Sequence, residues 1–416
     1  MKRSTPSDGI FSRTVLSTAG MAAQGLARFL YTLAIGRLAG PEALGETSAL
    51  LSIAVYLSLV LPAGLGIAAS RYLPSSALAG AAAGYLHRLF WASSLGLAVV
   101  AAPIAYIITE DIFAAASCAA LVFSYNAYVY SRGILMGEDR ILRATIADFV
   151  SSLVALTALV AVLVAGVDWA LLLPLATGYA IFAISARPRT IAGTIDAHER
   201  SMMRKFIRDA TIGALATGGL LPATMVFVRA YDSPAQAGLF AAALSLATPA
   251  SLISQAVNQV LIPHFSRQQG DPIQLQSSLR KIFAVTAALF VLIFGALVLL
   301  APAILTILYG ERFSGGTSAM QVLLVVVFLI SATCAPSAYL MASGHQRKYA
   351  QIWIIFFVLG TVTMIVASPS MGLWGALIGF AVGGGGGSIV VMLVGLTVRE
   401  HVGLPARLPD PQEKLS

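Results

Sequence analysis

The chain has 416 residues, of which 58% are hydrophobic and only 11% are charged, and its mean hydropathy is +0.85. Soluble domains carry about 25% charged residues, so this composition excludes a soluble enzyme or binding domain of this size and predicts a polytopic membrane protein. The net charge of +8 is explained by cytoplasmic loops enriched in Lys and Arg rather than by nucleic-acid binding.

Twelve stretches of the sequence are apolar and long enough to cross a bilayer, which takes about 20 residues per helix. Backbone within lipid must form its hydrogen bonds internally, so each stretch is predicted to be a helix and the fold class all-α. The predicted spans of the first half are 14–36, 47–69, 89–109, 112–134, 144–166 and 169–186. Those of the second half are 209–230, 238–262, 283–308, 318–342, 350–367 and 372–396.

The basic residues set the orientation, because the cytoplasmic loops of membrane proteins are enriched in Lys and Arg. If the N-terminus lies in the cytoplasm, only Arg37, Arg229 and Arg312 of the 26 basic residues face outside. Arg28 lies within the first span, and all the others fall on the cytoplasmic side. We therefore predict that both termini and the 187–208 connection are cytoplasmic.

Three short motifs recur in the same order in the two halves, which indicates an internal repeat. They are PEALG at 41–45 and PAQAG at 234–238, LHRLF at 86–90 and LRKIF at 279–283, and LMGEDR at 135–140 and LMASGHQR at 340–347. The chain is therefore predicted to form two six-helix repeats of the same sense, with domains at 1–196 and 197–416. Parallel repeats usually enclose a site between them near the membrane midplane and expose it by alternating access, which indicates a transporter.

Several segments resemble the polysaccharide transporter family, the Wzx-type flippases of O-antigen and exopolysaccharide repeat units in the multidrug/oligosaccharidyl-lipid/polysaccharide superfamily. They are AIGRLAGPEALG at 34–45, AGLF at 237–240, LIPHFSR at 261–267, LYGERF at 308–313 and GLWGA at 372–376. The resemblance implies two six-helix lobes that form a V in the bacterial inner membrane. It also implies movement of polyprenyl-diphosphate-linked oligosaccharide from the cytoplasmic to the outer leaflet, without catalysis or a cofactor. The expected partners are this lipid-linked glycan and membrane lipid, with a polysaccharide polymerase or chain-length protein as a further candidate.

Two other functions stay open at this point. A multidrug antiporter of the same superfamily would share the architecture, but such transporters typically carry acidic cation sites within the bundle. A membrane glycosyltransferase or polymerase would need sizeable extramembrane segments with acids and bases, whereas the predicted outward loops are short. The sequence contains no G-x-x-x-x-G-K-[ST] motif and no histidines at zinc spacing, so we expect neither ATP nor a metal as a ligand.

The main candidate for binding the diphosphate is Arg28, near the middle of the first span. A charge at that depth is costly and indicates function by default, and the planar guanidinium donates to phosphate in a bidentate manner. Gln24 and Tyr31 lie on the same helical stripe, while structural pairing of Arg28 within the bundle is the alternative. Packing between helices is likewise the alternative for the polar side chains of two other spans. These further candidates for glycan binding are Tyr125, Asn126 and Tyr128 in span four and Gln255, Asn258 and Gln259 in span eight.

Two acids and one row of glycines complete the candidate residues. Asp148 and Asp209 lie just inside spans five and seven and are candidates for ion coupling. Because Arg143 and Arg208 lie close to them in sequence, local ion pairing is the alternative. Small residues at every fourth position of span twelve form a ridge for close helix contact, or, since glycine weakens a helix, a hinge. These glycines are Gly375, Gly379, Gly383 and Gly387.

Overall fold

The computed structural model describes residues 6–74, 79–186, 195–267 and 272–398. For residues 6–15, 248–256, 258–260, 262–264, 266–267 and 272–274 it describes the backbone alone. The described residues form helices joined by short turns, with no β-strand among them. This confirms the predicted all-α class.

Sixteen α-helices follow one another along these residues. Those of the first half are α1 Pro6–Leu38, α2 Pro41–Val60, α3 Pro62–Tyr72, α4 Ala79–Thr109, α5 Ile112–Gly137, α6 Ile141–Ala165 and α7 Leu173–Ser185. Those of the second half are α8 Ala197–Gly218, α9 Leu220–Tyr231, α10 Pro234–Arg267, α11 Pro272–Tyr309, α12 Thr317–Ala332, α13 Cys334–Ala342, α14 Gln346–Met371, α15 Leu373–Phe380 and α16 Gly387–Thr397.

The helix starts carry local signals in the sequence. Pro41 opens α2, where its missing N–H costs nothing because the first N–H groups of a helix have no intrahelical acceptor. Asp111 and Asp196 cap α5 and α8: their carboxylates accept from the backbone N–H of Phe113 at 2.8 Å and of Glu199 at 2.6 Å. These turns are therefore fixed by residues next to them in sequence.

Every predicted span coincides with a helix or with consecutive helices, but five spans are interrupted. The second breaks at Pro62, because proline lacks the N–H that the preceding turn needs and its ring clashes with that turn. The sixth begins with a 3-10 turn at Asp168–Ala170 and becomes α-helical only from Leu173. The seventh bends by 58° between α8 and α9, at Gly219. The tenth is interrupted at Thr333, between α12 and α13, and the twelfth passes through a π-helix at Ala381–Gly386, within the glycine run.

The described helices include nine that are apolar and long enough to cross a membrane, or ten if the bent pair α8 and α9 is one span. Helices α1 and α10, whose side chains are described only in part, cover the predicted spans 14–36 and 238–262. The count of twelve spans, the two repeats and the domain boundary stay predictions. The apolar windows of α4, α11 and α14 are only 17% buried and face outward, whereas those of α2 and α5 are 61% buried and form the interior.

Two hydrophobic clusters hold the bundle together. The larger one includes helices of both halves, and the smaller one lies among α3, α4, α5 and the start of α8. In the smaller cluster Met203 and Ile207 of α8 are buried with Leu65 of α3 and Leu86 of α4. The first half of α8 therefore packs against helices of the first repeat, although the predicted boundary at 196 and 197 assigns all of it to the second.

The four glycines of the predicted twelfth span pack against α14. A Cβ atom built on Gly375 would lie 2.5 Å from the Ala367 carbonyl carbon, and one on Gly379 would lie 2.8 Å from the Gly360 oxygen. On Gly383 and Gly387 it would lie within 2.9 and 3.1 Å of Phe356 atoms. These approaches support the packing interpretation of the ridge, since larger side chains would push α14 away. A hinge at the π-helix stays a prediction.

The orientation can be tested by labelling single cysteines with a membrane-impermeant thiol reagent in intact cells. Ser201 on α8 and Gln236 on α10 are both exposed and lie on opposite sides of the predicted topology. We expect Gln236→Cys to react and Ser201→Cys to stay unmodified until the cells are opened. The opposite pattern would overturn the inside location of the 187–208 connection.

Candidate functional site

A cavity of about 480 Å³ lies between helices of the two halves. Its first-half wall is formed by α1, α2, α5 and α7, and its second-half wall by α9, α10 and the end of α8. The polar lining is concentrated on the first-half wall and comprises Gln24, Arg28, Thr32, Ser48, Ser52, Tyr125, Tyr128 and Tyr179. The described lining of the other wall is apolar apart from Ser245. The cavity is therefore amphipathic.

Arg28 supplies the positive charge of this cavity. Its Nε donates a hydrogen bond to the Tyr179 hydroxyl at 2.7 Å, and its guanidinium carbon lies 4.8 Å from the centre of the Tyr125 ring. A ring face attracts a cation without neutralising it. No carboxylate of the described residues lies within 4.0 Å of the guanidinium. The arrangement therefore presents a cation, oriented by two tyrosines, to whatever occupies the cavity.

The other predicted residues of the first span have different environments. Gln24 lines the cavity, but its amide nitrogen donates to the Ser151 hydroxyl at 2.7 Å and to the Asp148 carbonyl at 3.2 Å, so it also fastens α1 to α6. Tyr31 is 1% exposed, does not line the cavity and donates its hydroxyl to the Leu171 carbonyl. The polar stripe instead continues from Arg28 to Thr32, one turn further along α1.

Span four contributes two of its three predicted residues to the cavity. Tyr125 and Tyr128 line it, with ring centres 5.9 Å apart. Tyr179 on α7 completes a group of three rings, 5.1 and 5.0 Å from the other two. Sequence reasoning missed Tyr179; the only signal was a single tyrosine in an otherwise apolar span. Asn126 is fully buried and does not line the cavity, and its side-chain atoms have no hydrogen-bond partner in the described part of the chain.

Asp148 has a partner that the sequence did not indicate. The predicted local pairing with Arg143 is wrong: the fully buried carboxylate forms an ion pair with Arg132 of α5. The Tyr128 hydroxyl donates to the same carboxylate at 3.2 Å, and Arg132 also donates to the Ser17 carbonyl at 3.2 Å. The ion pair thus joins α1, α5 and α6 directly behind the cavity wall, because the contact between α5 and α6 places these residues side by side.

Asp209, the second candidate acid, pairs with its neighbour in sequence. Asp209 accepts two hydrogen bonds from Arg208, at 2.8 and 2.9 Å, and both side chains are about two-thirds exposed. Local pairing of Asp209 is confirmed. The side chains of Gln255, Asn258 and Gln259 lie outside the described residues, so their predicted role in glycan binding stays a prediction.

Residues 34–318 match the model of a single protein family, described as polysaccharide biosynthesis protein. The match extends from the end of α1 to the start of α12 and covers more than half of the chain. The chain belongs to the polysaccharide biosynthesis protein family. This confirms the resemblance found in the sequence. Arg28 precedes the matched region, so the family match says nothing about it, and its significance rests on its position in the cavity.

Solved structures place this family member among membrane transporters in fold. The chain is similar to a lipid II flippase, MurJ, in an inward closed conformation, with a TM-score of 0.74, 11% identity and coverage of 91% of this chain and 87% of that one. It is also similar to the inward-facing conformation of a multidrug resistance MATE family transporter of the MOP superfamily, with a TM-score of 0.72, 17% identity and coverage of 89% and 93%. For the outward-facing conformation of such a transporter the TM-score is 0.63, at 15% identity and coverage of 94% and 95%.

A search of curated proteins found no match to the chain. At these identities the solved structures establish the fold and not the substrate. Together with the apolar helices, they identify a multi-pass membrane protein of transporter or flippase architecture.

Proposed function

We propose that this protein is a flippase that moves polyprenyl-diphosphate-linked oligosaccharide from the cytoplasmic to the outer leaflet of the bacterial inner membrane, by alternating access. One observation carries the proposal: the cavity between the two halves contains Arg28, a cation with no carboxylate partner among the described residues. The polysaccharide biosynthesis family supports the choice of glycan.

The cavity chemistry suits the three parts of such a substrate. A guanidinium binds phosphate oxygens through paired, charge-assisted hydrogen bonds and stays charged at every relevant pH. The hydroxyls of Tyr125 and Tyr128, and of Ser48 and Ser52, can exchange hydrogen bonds with sugar hydroxyls. The apolar wall of α9 and α10 offers the polyprenyl chain a surface that lacks charge among the described lining residues.

The same cavity fits the alternative functions less well. A cationic drug needs a negative partner, yet the described lining residues include no acid, and Asp148 behind the wall is already paired with Arg132. A glycosyltransferase would need a general acid or base at the reacting centre, and the described lining offers neither a carboxylate nor a histidine. Transport of an anionic glycolipid is the function that uses Arg28.

Coupling to an ion gradient or to the membrane potential belongs to the proposal. Asp148 supports it, because Tyr128 and Gln24 both line the cavity and both hydrogen-bond to Asp148, through its carboxylate and its carbonyl respectively. A change in the charge of Asp148 would therefore alter the hydrogen bonds of two residues that line the cavity. Asp209 offers no such link, since it is exposed and paired with Arg208.

Ligand-dependent stabilisation of the purified protein tests the proposal. A ligand that binds only the folded state stabilises it by RT ln(1 + L/Kd), where L is the free ligand concentration. Once the ligand is in excess, the unfolding temperature therefore rises with the logarithm of concentration over Kd. We expect a polyprenyl-diphosphate-linked glycan to raise the thermal midpoint in detergent, the corresponding monophosphate to raise it less, and the lipophilic cation tetraphenylphosphonium to leave it unchanged. Stabilisation by the cation and not by the diphosphate would instead support the antiporter.

A further inference from the structure

The two repeat-related motifs PEALG and PAQAG contact each other in the folded protein. They form the first turns of α2 and α10, and the backbones touch at Gly45 and Gly238. A Cβ atom built on Gly45 would lie 2.6 Å from the Gly238 nitrogen and would overlap the Pro234 carbonyl oxygen. One built on Gly238 would overlap the Pro41 carbonyl oxygen. No residue larger than glycine fits at either position while the helices are in this arrangement.

This glycine contact lies one helical turn from the cavity lining, at one end of the cavity. One helical turn beyond Gly45 and Gly238, Ser48 and Ala241 line the cavity. The lining continues along both helices in matched positions, with Leu51 and Ser52 on α2 and Leu244 and Ser245 on α10. The same distance along the sequence separates the members of each pair. The two helices thus touch near their first turns and then line opposite walls of the cavity.

Two arginines link the halves beside this contact. Arg37, at the end of α1, donates from Nη2 to the Ile307 carbonyl of α11 at 2.8 Å. Arg229, at the end of α9, donates from Nη2 to the Ile108 carbonyl of α4, also at 2.8 Å. Each arginine ends the first span of its own half and binds the last turn of the third span of the other half. The last carbonyls of a helix have no intrahelical donor and favour a cation.

We infer that the Gly45–Gly238 contact is the outer gate of the cavity and that Arg37 and Arg229 are a matched pair of latches that hold it closed. In the predicted orientation this end faces outside, and these are two of the three basic residues on that side. The gate has to part for the cavity to open outward. No carboxylate of the described residues lies within 4.0 Å of either guanidinium, so breaking these two hydrogen bonds separates no close ion pair. Glu46 on α2 interacts with Arg229 electrostatically at longer range. The inference goes beyond the proposed function, because it holds for any substrate.

Accessibility of the cavity from outside tests the gate. A reporter cysteine at Thr32, which lines the cavity, is labelled in intact cells with a membrane-impermeant thiol reagent. The parent without the reporter is the background control, since Cys118 and Cys334 are both buried. We expect slow labelling of the reporter alone and a rise in rate of about tenfold with Gly45→Ala or Gly238→Ala, because the open state starts as a minor population.

The matched control is Gly295→Ala on α11, where an added Cβ meets no atom within 4 Å, and it should leave the labelling rate unchanged. Arg37→Gln and Arg229→Gln should each raise the rate by a smaller factor, and the double variant should approach the glycine variants. If the arginine variants reach normal levels in the membrane and labelling does not rise, the gate assignment is wrong. If neither the glycine nor the arginine variants accumulate, these contacts hold the fold together and the inference is equally overturned. Because the assay does not involve glycan display, neither result bears on the proposed substrate.

Discussion

Replacing Arg28 by alanine should abolish display of the surface glycan while leaving the amount of protein in the membrane unchanged. The guanidinium has no acid partner among the described residues, so its removal leaves no buried carboxylate unpaired. Two charge-assisted hydrogen bonds to a diphosphate are worth about 3 kcal/mol or more, which corresponds to a loss of transport of at least roughly a hundredfold. Arg28→Lys retains the charge but not the planar fork, so it should keep part of the activity.

The matched control is Arg88→Ala, which removes an exposed arginine whose Nε donates only to the Gly84 carbonyl of its own helix, at 3.4 Å. Display of glycan should then be normal. Protein level in the membrane and glycan on the cell surface are measured for each variant. Loss of Arg28→Ala from the membrane would mean that the residue holds the bundle together. If Arg28→Ala reaches the normal protein level in the membrane and displays the normal amount of glycan, Arg28 is not the diphosphate site.

Replacing Arg132 by alanine should strongly destabilise the protein. The change leaves the fully buried Asp148 without its cation, and breaking a buried ion pair in this way costs about 3–5 kcal/mol. The thermal midpoint of the purified protein in detergent should fall by several degrees. The comparison variant is Arg208→Ala, which breaks an exposed pair of similar composition and should cost only about 0–1 kcal/mol.

A double variant separates the structural and the transport role of this pair. Arg132→Met with Asp148→Leu replaces both charges by apolar side chains of similar size, and such replacements of buried pairs are often neutral or stabilising. We expect it to recover most of the lost thermal midpoint. If the stable double variant does not display glycan, the two charges are needed for ion coupling of transport. If it does display glycan, the ion pair only holds the helices together. If the thermal midpoint falls no further for Arg132→Ala than for Arg208→Ala, the result would contradict the burial of the Arg132–Asp148 ion pair.

The outcome for the two acids shows where sequence reasoning succeeds and fails. For Asp209 the nearest cation in sequence is also its partner, because both side chains are exposed on one helix turn and local geometry decides. For Asp148 the local partner was the wrong choice. Its carboxylate is buried, and a buried charge pairs with whatever the neighbouring helix presents. That neighbour is set by the packing of α5 on α6, which hydropathy does not encode.

Tyr31 and Tyr179 show the same limit within the cavity. Helical periodicity placed Tyr31 on the stripe of Arg28, but a stripe on a helix is broad enough to touch two environments. Tyr31 falls on the side that packs, and its hydroxyl binds the Leu171 carbonyl. Tyr179 lies in a span with no polar pattern, yet it forms the hydrogen bond that orients Arg28. Only the position of α7 beside α1 reveals this.

The sequence by itself determined the membrane class, the positions of the helices and the mid-span location of Arg28. In lipid each helix must form all its backbone hydrogen bonds internally, so it appears in the sequence as a continuous apolar run. It also revealed the paired motifs PEALG and PAQAG as similar segments. Only the tertiary structure decided that these motifs touch, that Arg37 and Arg229 reach across to the opposite half, and that Arg132 neutralises Asp148. Each of these contacts joins residues on different helices, and it depends on which helix faces lie together.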